Sequence, residues 1–317
     1  MSETEKQSTS QLDHFFGGKN MRRGLLLFLL LGAVCAGGVA PALAVGDEDR
    51  DAFVEQLILV AIGEIGNGRE AHGYTKYADW SGGNKYGEWC SDFVSWCVAQ
   101  ADLQLSTNYL EYLYPMQTAC ATGVEWFTAR GRYVTVAGKI KGYGAQWYRA
   151  DGMPLAERPY IPMRGDLIYF EWYKYNRIDH VGIVEYVSMS ADGVYTVHTI
   201  EGNNRIDFVE RFTYPLDDPS IRAYGVLRDD IGIELRADCK GPIVEALQRW
   251  LVDHGYADFA PNGKYERKTK QAVIAFQEAY GLKPTGVADQ VTQTAMGFLT
   301  GNPWPKPTPV PTEAPAP

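Results

Sequence analysis

A cysteine set between a glycine-rich approach and an amphipathic helix constrains this chain most. Residues 87–97 read Gly-Glu-Trp-Cys-Ser-Asp-Phe-Val-Ser-Trp-Cys. From Ser91 onward, Phe93, Val94, Cys97, Val98 and Ala101 recur every three or four positions, which is the spacing of one apolar helical stripe. Gly82, Gly83 and Gly87 lie just upstream, where they disfavour helix and permit a tight loop. The helix therefore begins at or near Cys90. Unpaired backbone N–H groups and the macrodipole at a helix start stabilise a thiolate. With a histidine in reach such a cysteine is a nucleophile, and without one it is a buried structural thiol.

The other cysteines are Cys35, Cys97, Cys120 and Cys239, and none forms a CxxC pair, so neither a zinc nor a redox motif is supported. Cys97 follows Cys90 on one helical face but about 10.5 Å away along the axis, beyond disulfide reach. It reads as a core thiol. The formal net charge of −9 argues against sequence-independent nucleic-acid binding. Attachment to an anionic surface must then come from a shaped site rather than a basic patch.

At 317 residues the chain has length for two domains. Residues 1–20 are polar, and Met21-Arg22-Arg23 precedes the apolar run Gly24 to Val34. That run has the length of a signal-peptide core and is short for a membrane span. Ala42-Leu43-Ala44 supplies an A-x-A cleavage pattern. Residues 1–44 thus read as a leader with a signal peptide, or a signal anchor if uncleaved, and a start at Met21 would make it an ordinary signal peptide. Val34 is too bulky for a lipoprotein site at Cys35.

A helix is predicted over 49–65, with Phe53, Val54, Leu57, Ile58, Ala61, Ile62 and Ile65 on its apolar face and Asn67-Gly68 after its end. Strand and loop are expected over 132–147. A turn over Pro162 to Asp166 leads into a strand over 167–172, and further strands are predicted over 181–187 and 194–200. Helices first and closely spaced strands later predict an α+β domain with an antiparallel sheet over 45–235. A second unit over 238–298 contains helices predicted over 243–254 and 268–280. The Pro-rich stretch 299–317 reads as an extended, disordered tail.

A cysteine nucleophile needs a base, and the base needs an orienting group. Five histidines are available: His14, His72, His180, His198 and His254. His14 falls in the leader, His72 in a loop and His254 at the end of a second-unit helix. His180 and His198 sit on strands that could pack against the Cys90 helix. His180 opens the run Asp179-His180-Val181-Gly182-Ile183-Val184.

Trp89-Cys90-Ser91-Asp92-Phe93-Val94, Gly165-Asp166-Leu167-Ile168-Tyr169-Phe170, the Asp179 run and Ile200-Glu201-Gly202-Asn203 together resemble, in order, a CHAP domain. The resemblance covers about residues 50–230. It implies a papain-like α+β fold, N-terminal helices on an antiparallel sheet, and a cysteine amidohydrolase or peptidase that cuts peptidoglycan. It implies Cys90 as nucleophile, His180 as general base, Glu201 as the residue orienting the imidazole, and Asn203 as a fourth polar member. Glu201 and Asn203 share parity, so in an extended chain both would face one side.

Residues 238–298 resemble a small three-helix peptidoglycan-binding module. The likeness rests on Leu247-Gln248, Asn262-Gly263-Lys264-Tyr265, Thr269, Ala272-Val273, Phe276-Gln277, Gly281-Leu282 and Thr285-Gly286. Asn262 stands where an acidic residue is usual.

These resemblances imply a secreted or wall-associated bacterial hydrolase of peptidoglycan amide bonds, an N-acetylmuramoyl-L-alanine amidase or an endopeptidase. Its partner would be peptidoglycan, with membrane contact only through an uncleaved leader, and a monomer is expected. Two alternatives remain at this point: an NlpC-type endopeptidase using a histidine such as His198 as third residue, and a catalytically silent wall-binding protein. Some CHAP relatives carry an acidic calcium loop before the cysteine. Residues 79–84 are only weakly like one, and no cofactor or metal is expected.

Overall fold

The computed structural model describes residues 47–298 apart from 72, 174–176 and 205–206. The predicted leader with Cys35 and His14, the loop residue His72 and the Pro-rich tail lie outside the described residues.

Four helices come first: α1 (Asp47–Gly63), α2 (Lys76–Ser81), α3 (Cys90–Leu105) and α4 (Cys120–Ala129). A six-stranded sheet follows, built from β1 (Tyr133–Thr135), β3 (Leu167–Phe170), β4 (His180–Met189), β5 (Tyr195–Gly202), β6 (Val209–Pro215) and β7 (Ile221–Gly225). Its spatial order is β1-β7-β3-β4-β5-β6, and every neighbouring pair is antiparallel. β2 (Gln146–Tyr148) and β8 (Ile231–Ile233) form a separate two-stranded ribbon. The α+β architecture expected from helices preceding strands is the one observed.

Alternation along the strands divides the core in two. Leu167, Tyr169, Val181, Ile183 and Ile200 join Phe53, Leu57, Phe93, Val94 and Val98 of α1 and α3 in one apolar cluster. Ile168, Phe170, Val184, Val197 and Tyr224 join Val134, Leu155 and Tyr160 in another. The long stretch between the Cys90 helix and Gly165 is thus divided: Leu113, Tyr114 and Phe127 join the first cluster, and its later part, with Val134, Leu155 and Tyr160, covers the second face of the sheet. It is fastened there by Asp166, a buried carboxylate that accepts hydrogen bonds from Tyr160 Oη (2.8 Å) and the Met163 N–H (2.8 Å). Burial pushes the Asp166 carboxyl up to about 7 against the pull of these donors.

Among the described residues three further helices follow: α5 (Pro242–Asp253), α6 (Arg267–Ala279) and α7 (Gln290–Met296). Val244, Leu247, Leu251, Val273, Phe276 and Met296 form their core, and Tyr143, Ile233 and Leu235 from the preceding domain are part of it. Tyr143 Oη donates to the Lys240 carbonyl (2.7 Å), Gln293 Nε2 to the Ile233 carbonyl (2.7 Å) and Gln290 Nε2 to the Gly152 carbonyl (2.8 Å). Gly241, at φ 113°, lies so close to α4 that an added Cβ would sit 2.6 Å from the Ala129 Cβ. The junction near residue 236 thus runs through a shared core rather than along a free linker.

Candidate active site

Cys90 is the first residue of α3, and Trp89 is its N-cap. The helix start is seated on the sheet through glycine: a Cβ on Gly202 would meet Trp89 at 2.5 Å and Phe93 at 2.9 Å. Trp89 is fully buried and stacks on Tyr77 of α2, with ring centroids 5.3 Å apart. Asp92 in the first turn accepts from the Ser81 hydroxyl, which ties the α2 loop to the helix. This packing holds the Cys90 thiol, 4% exposed, at one wall of an open cleft of about 740 Å³.

His180 begins β4 and lines the same cleft. Its Nε2 lies 2.8 Å from Glu201 Oε2, and the imidazole acts electrostatically on the Cys90 thiol of the same cleft. The Glu201 contact occupies Nε2, so Nδ1 is the nitrogen left for the thiol. Register explains the pairing. Ile183 opposes Ile200, so Glu201 lies across from Gly182 and diagonal to His180. A Cβ on Gly182 would come within 2.5 Å of the Glu201 side chain, so the glycine makes the space through which the carboxylate reaches the imidazole. Trp172 stacks on His180 with centroids 4.1 Å apart. The Trp172 and Tyr173 N–H groups donate to the Asp179 carboxylate, which fixes the turn carrying the indole.

Glu201 is fully buried. It also accepts from Thr199 Oγ1 (2.5 Å) and Asn204 Nδ2 (2.5 Å). Burial pulls the His180 pKa down, but the interactions with Cys90 and Glu201 outweigh it and raise it to about 9. Across the cleft wall, Cys90 Sγ lies 3.8 Å from Cys120 Sγ. That contact and burial push the Cys90 thiol up, while the same contact pulls Cys120 down. Either sulfur can be the donor in that contact. His180 acts on Cys90 in the opposite sense to burial and favours the charge there.

The structure brings Cys90, His180 and Glu201 together. Asn203 lines the cleft but does not join Glu201. The strand ends at Gly202, and Asn203 has φ 58°, so the extended-chain parity expectation does not apply; its amide donates to Glu88 instead. Asn204, which sequence reasoning passed over, takes the place beside the carboxylate. His198 is on the opposite strand face from Glu201, 2.9 Å from Ser188 Oγ and stacked on Tyr186 at 4.0 Å. Cys120 and Trp172 also went unread, since neither belongs to a contiguous motif. Before the cysteine, Asp79 of α2 is ion-paired with Lys85. Among the described residues no three His, Cys, Asp or Glu side chains form a metal cluster.

Residues 79–203 match the family model of the CHAP domain, and residues 240–296 match that of a peptidoglycan binding domain. No curated protein matches the chain. A solved structure, a periplasmic domain of the EpsAB fusion protein of the Vibrio vulnificus type II secretion system, matches at 13% identity over 41% of this chain and 54% of that one. Its TM-score is 0.19, and the chain spans about half of its length, so this likeness carries no argument. The chain carries a CHAP domain followed by a peptidoglycan-binding domain. Together these support a cell-wall hydrolase that binds peptidoglycan.

Proposed function

We propose that this protein is an exported cysteine hydrolase that cleaves an amide bond of peptidoglycan, as an N-acetylmuramoyl-L-alanine amidase or a stem-peptide or cross-bridge endopeptidase. The observation that carries the reading is the His180 imidazole, held by Glu201 at 2.8 Å and lining one open cleft with Cys90, within the CHAP match. The thiol proton moves to His180, and the Cys90 thiolate attacks the amide carbonyl. The tetrahedral oxyanion is met by the Cys90 backbone N–H, which has no partner within the helix. The imidazolium then protonates the leaving amine, and the C–N bond breaks. His180 next takes a proton from water, which attacks the thioester and frees Cys90. Glu201 holds the ring and stabilises its charge. No cofactor enters this scheme. Digestion of purified sacculi followed by mass spectrometry of the released fragments tests it. New N-terminal alanine on the stem identifies an amidase, other new termini identify an endopeptidase, and glycan cleavage alone would defeat the reading.

The C-terminal helices would concentrate the enzyme on the wall. Because Tyr143, Ile233 and Leu235 belong to their core, ending the chain at Arg236 is expected to do more than remove an anchor. Re-exposing large apolar side chains costs roughly 1.5–3 kcal/mol each when burial is complete. A fall in melting temperature on the order of 10 °C follows for a domain of this size. The shortened chain should also pellet less with sacculi, while retaining cleavage of small soluble muropeptides below its lowered melting point. Equal melting and equal pelleting of both forms would remove the shared core and the anchoring role respectively.

A further inference from the structure

Two thiols meet at the cleft, and the hydrolysis scheme uses one of them. Cys90 and Cys120 each begin a helix, α3 and α4, and both line the cleft as free thiols. Their sulfurs are 3.8 Å apart, and Ser91 Oγ lies 3.5 Å from Cys120 Sγ. Resting on the reading of Cys90 as nucleophile, we propose that Cys90 and Cys120 close a reversible disulfide on reaction with a small organic disulfide, and that this switches the hydrolase off.

The geometry favours this pair over others. A disulfide bond is about 2 Å long, so side-chain rotation has to close a gap of about 2 Å. Cys97 is fully buried in the helix–sheet core, and Cys239 sits in the core of the C-terminal helices. The Cys120 thiol is pulled down by its contacts with Cys90 and Ser91, and His180 favours the charge at Cys90 against burial; the thiolate is the species that attacks a disulfide.

The exchange balances in two steps. The Cys90 thiolate attacks one sulfur of RS–SR; the Cys90–SR bond forms, the S–S bond breaks, and RS⁻ leaves with the proton held by His180. Cys120, after losing its proton to the freed imidazole, attacks Cys90 Sγ; the Cys90–Cys120 bond forms, and the second RS⁻ leaves with that proton. The two protein thiols lose two electrons, and the organic disulfide gains them as two thiols. With its sulfur bonded, Cys90 has no electron pair free to attack a carbonyl, and a reductant of the dithiol class restores it.

The full chain, reduced and then incubated with excess glutathione disulfide, provides the test. The expected product is two hydrogens lighter, yields a Cys90–Cys120 linked peptide on non-reducing digestion, and has lost muropeptide release. Dithiothreitol should restore the release. Cys120→Ser and, independently, Cys120→Ala should instead retain one glutathione on Cys90 and never give the linked peptide. A wild-type chain that keeps the glutathione adduct, stays unmodified, or links through Cys97 or Cys239 would overturn the proposal. Cys90→Ser assayed in reductant reads the nucleophile separately: activity there would defeat the hydrolase scheme, whereas a persistent adduct in the wild type defeats the disulfide alone.

Discussion

Cys90→Ser is expected to lower release of peptide fragments from peptidoglycan by at least about a thousandfold while leaving the fold in place. The loss follows from the proton inventory of the site. His180 pulls the Cys90 thiol down against burial and the Cys120 contact, so the imidazole favours a thiolate there, and a thiol gives up its proton to it far more readily than an alcohol does. A serine hydroxyl holds its proton far more tightly, and His180 would have to remove it during the attack itself. The substitution barely changes the shape of the wall. Cys120 Sγ, 3.8 Å from the replaced atom, remains a hydrogen-bonding neighbour for the new hydroxyl, so little stability is at stake. The checking measurement pairs a fragment-release assay with thermal melting of the same sample. Activity within tenfold of the wild type would remove Cys90 from the chemistry; lost activity with a collapsed melting curve would mean that folding, not the nucleophile, had been tested.

The site was legible in the sequence where chemistry is carried by contiguous residues. Glycines followed by an apolar stripe placed the start of a helix at Cys90, and α3 begins there. The period-two strands placed His180 at a strand opening and put His198 and Glu201 on opposite faces, and the ladder has that parity. What failed was the extension of parity past the end of the strand. Asn203 leaves the extended conformation at φ 58°, a local turn that alternation does not encode. Contacts made across the chain were also silent. Cys120 reaches Cys90 from the start of α4, and Trp172 stacks on His180 with its N–H held by the Asp179 carboxylate. The short α4, β6 to β8 and α7 left no distinct periodic signal, since a few residues do not span enough turns or pleats to establish one. The boundary read between 235 and 238 gave no sign of a shared core for a similar reason. Leu235 and Ile233 are buried by helices that lie after them in sequence, a long-range packing event.

Glu201→Gln should separate an orienting carboxylate from a merely structural one, because the two roles predict different pH profiles. The carboxylate and Cys90 raise the His180 pKa against a burial effect of the opposite sign, to about 9. The imidazolium that partners the thiolate and protonates the leaving amine should thus persist to about pH 9 in the wild type, and kcat/KM should fall above it. In Glu201→Gln the charge is gone while the burial remains, so the pKa moves down and the falling limb shifts to lower pH. Turnover near neutrality should drop by about 10²- to 10⁴-fold. Stability should change less: Thr199 Oγ1 and Asn204 Nδ2 both donate to the carboxylate, and an amide leaves one of them facing its NH₂, at a cost of about 1–3 kcal/mol. His198→Ala is the opposing case. That ring contacts Ser188 and Tyr186 on the far side of the strand, so its loss should leave both rate and pH profile near wild type. A Glu201→Gln enzyme with an unshifted falling limb would reduce Glu201 to packing. A His198→Ala enzyme with the large loss would overturn the triad and return the third position to a histidine, as an NlpC-type site would have it.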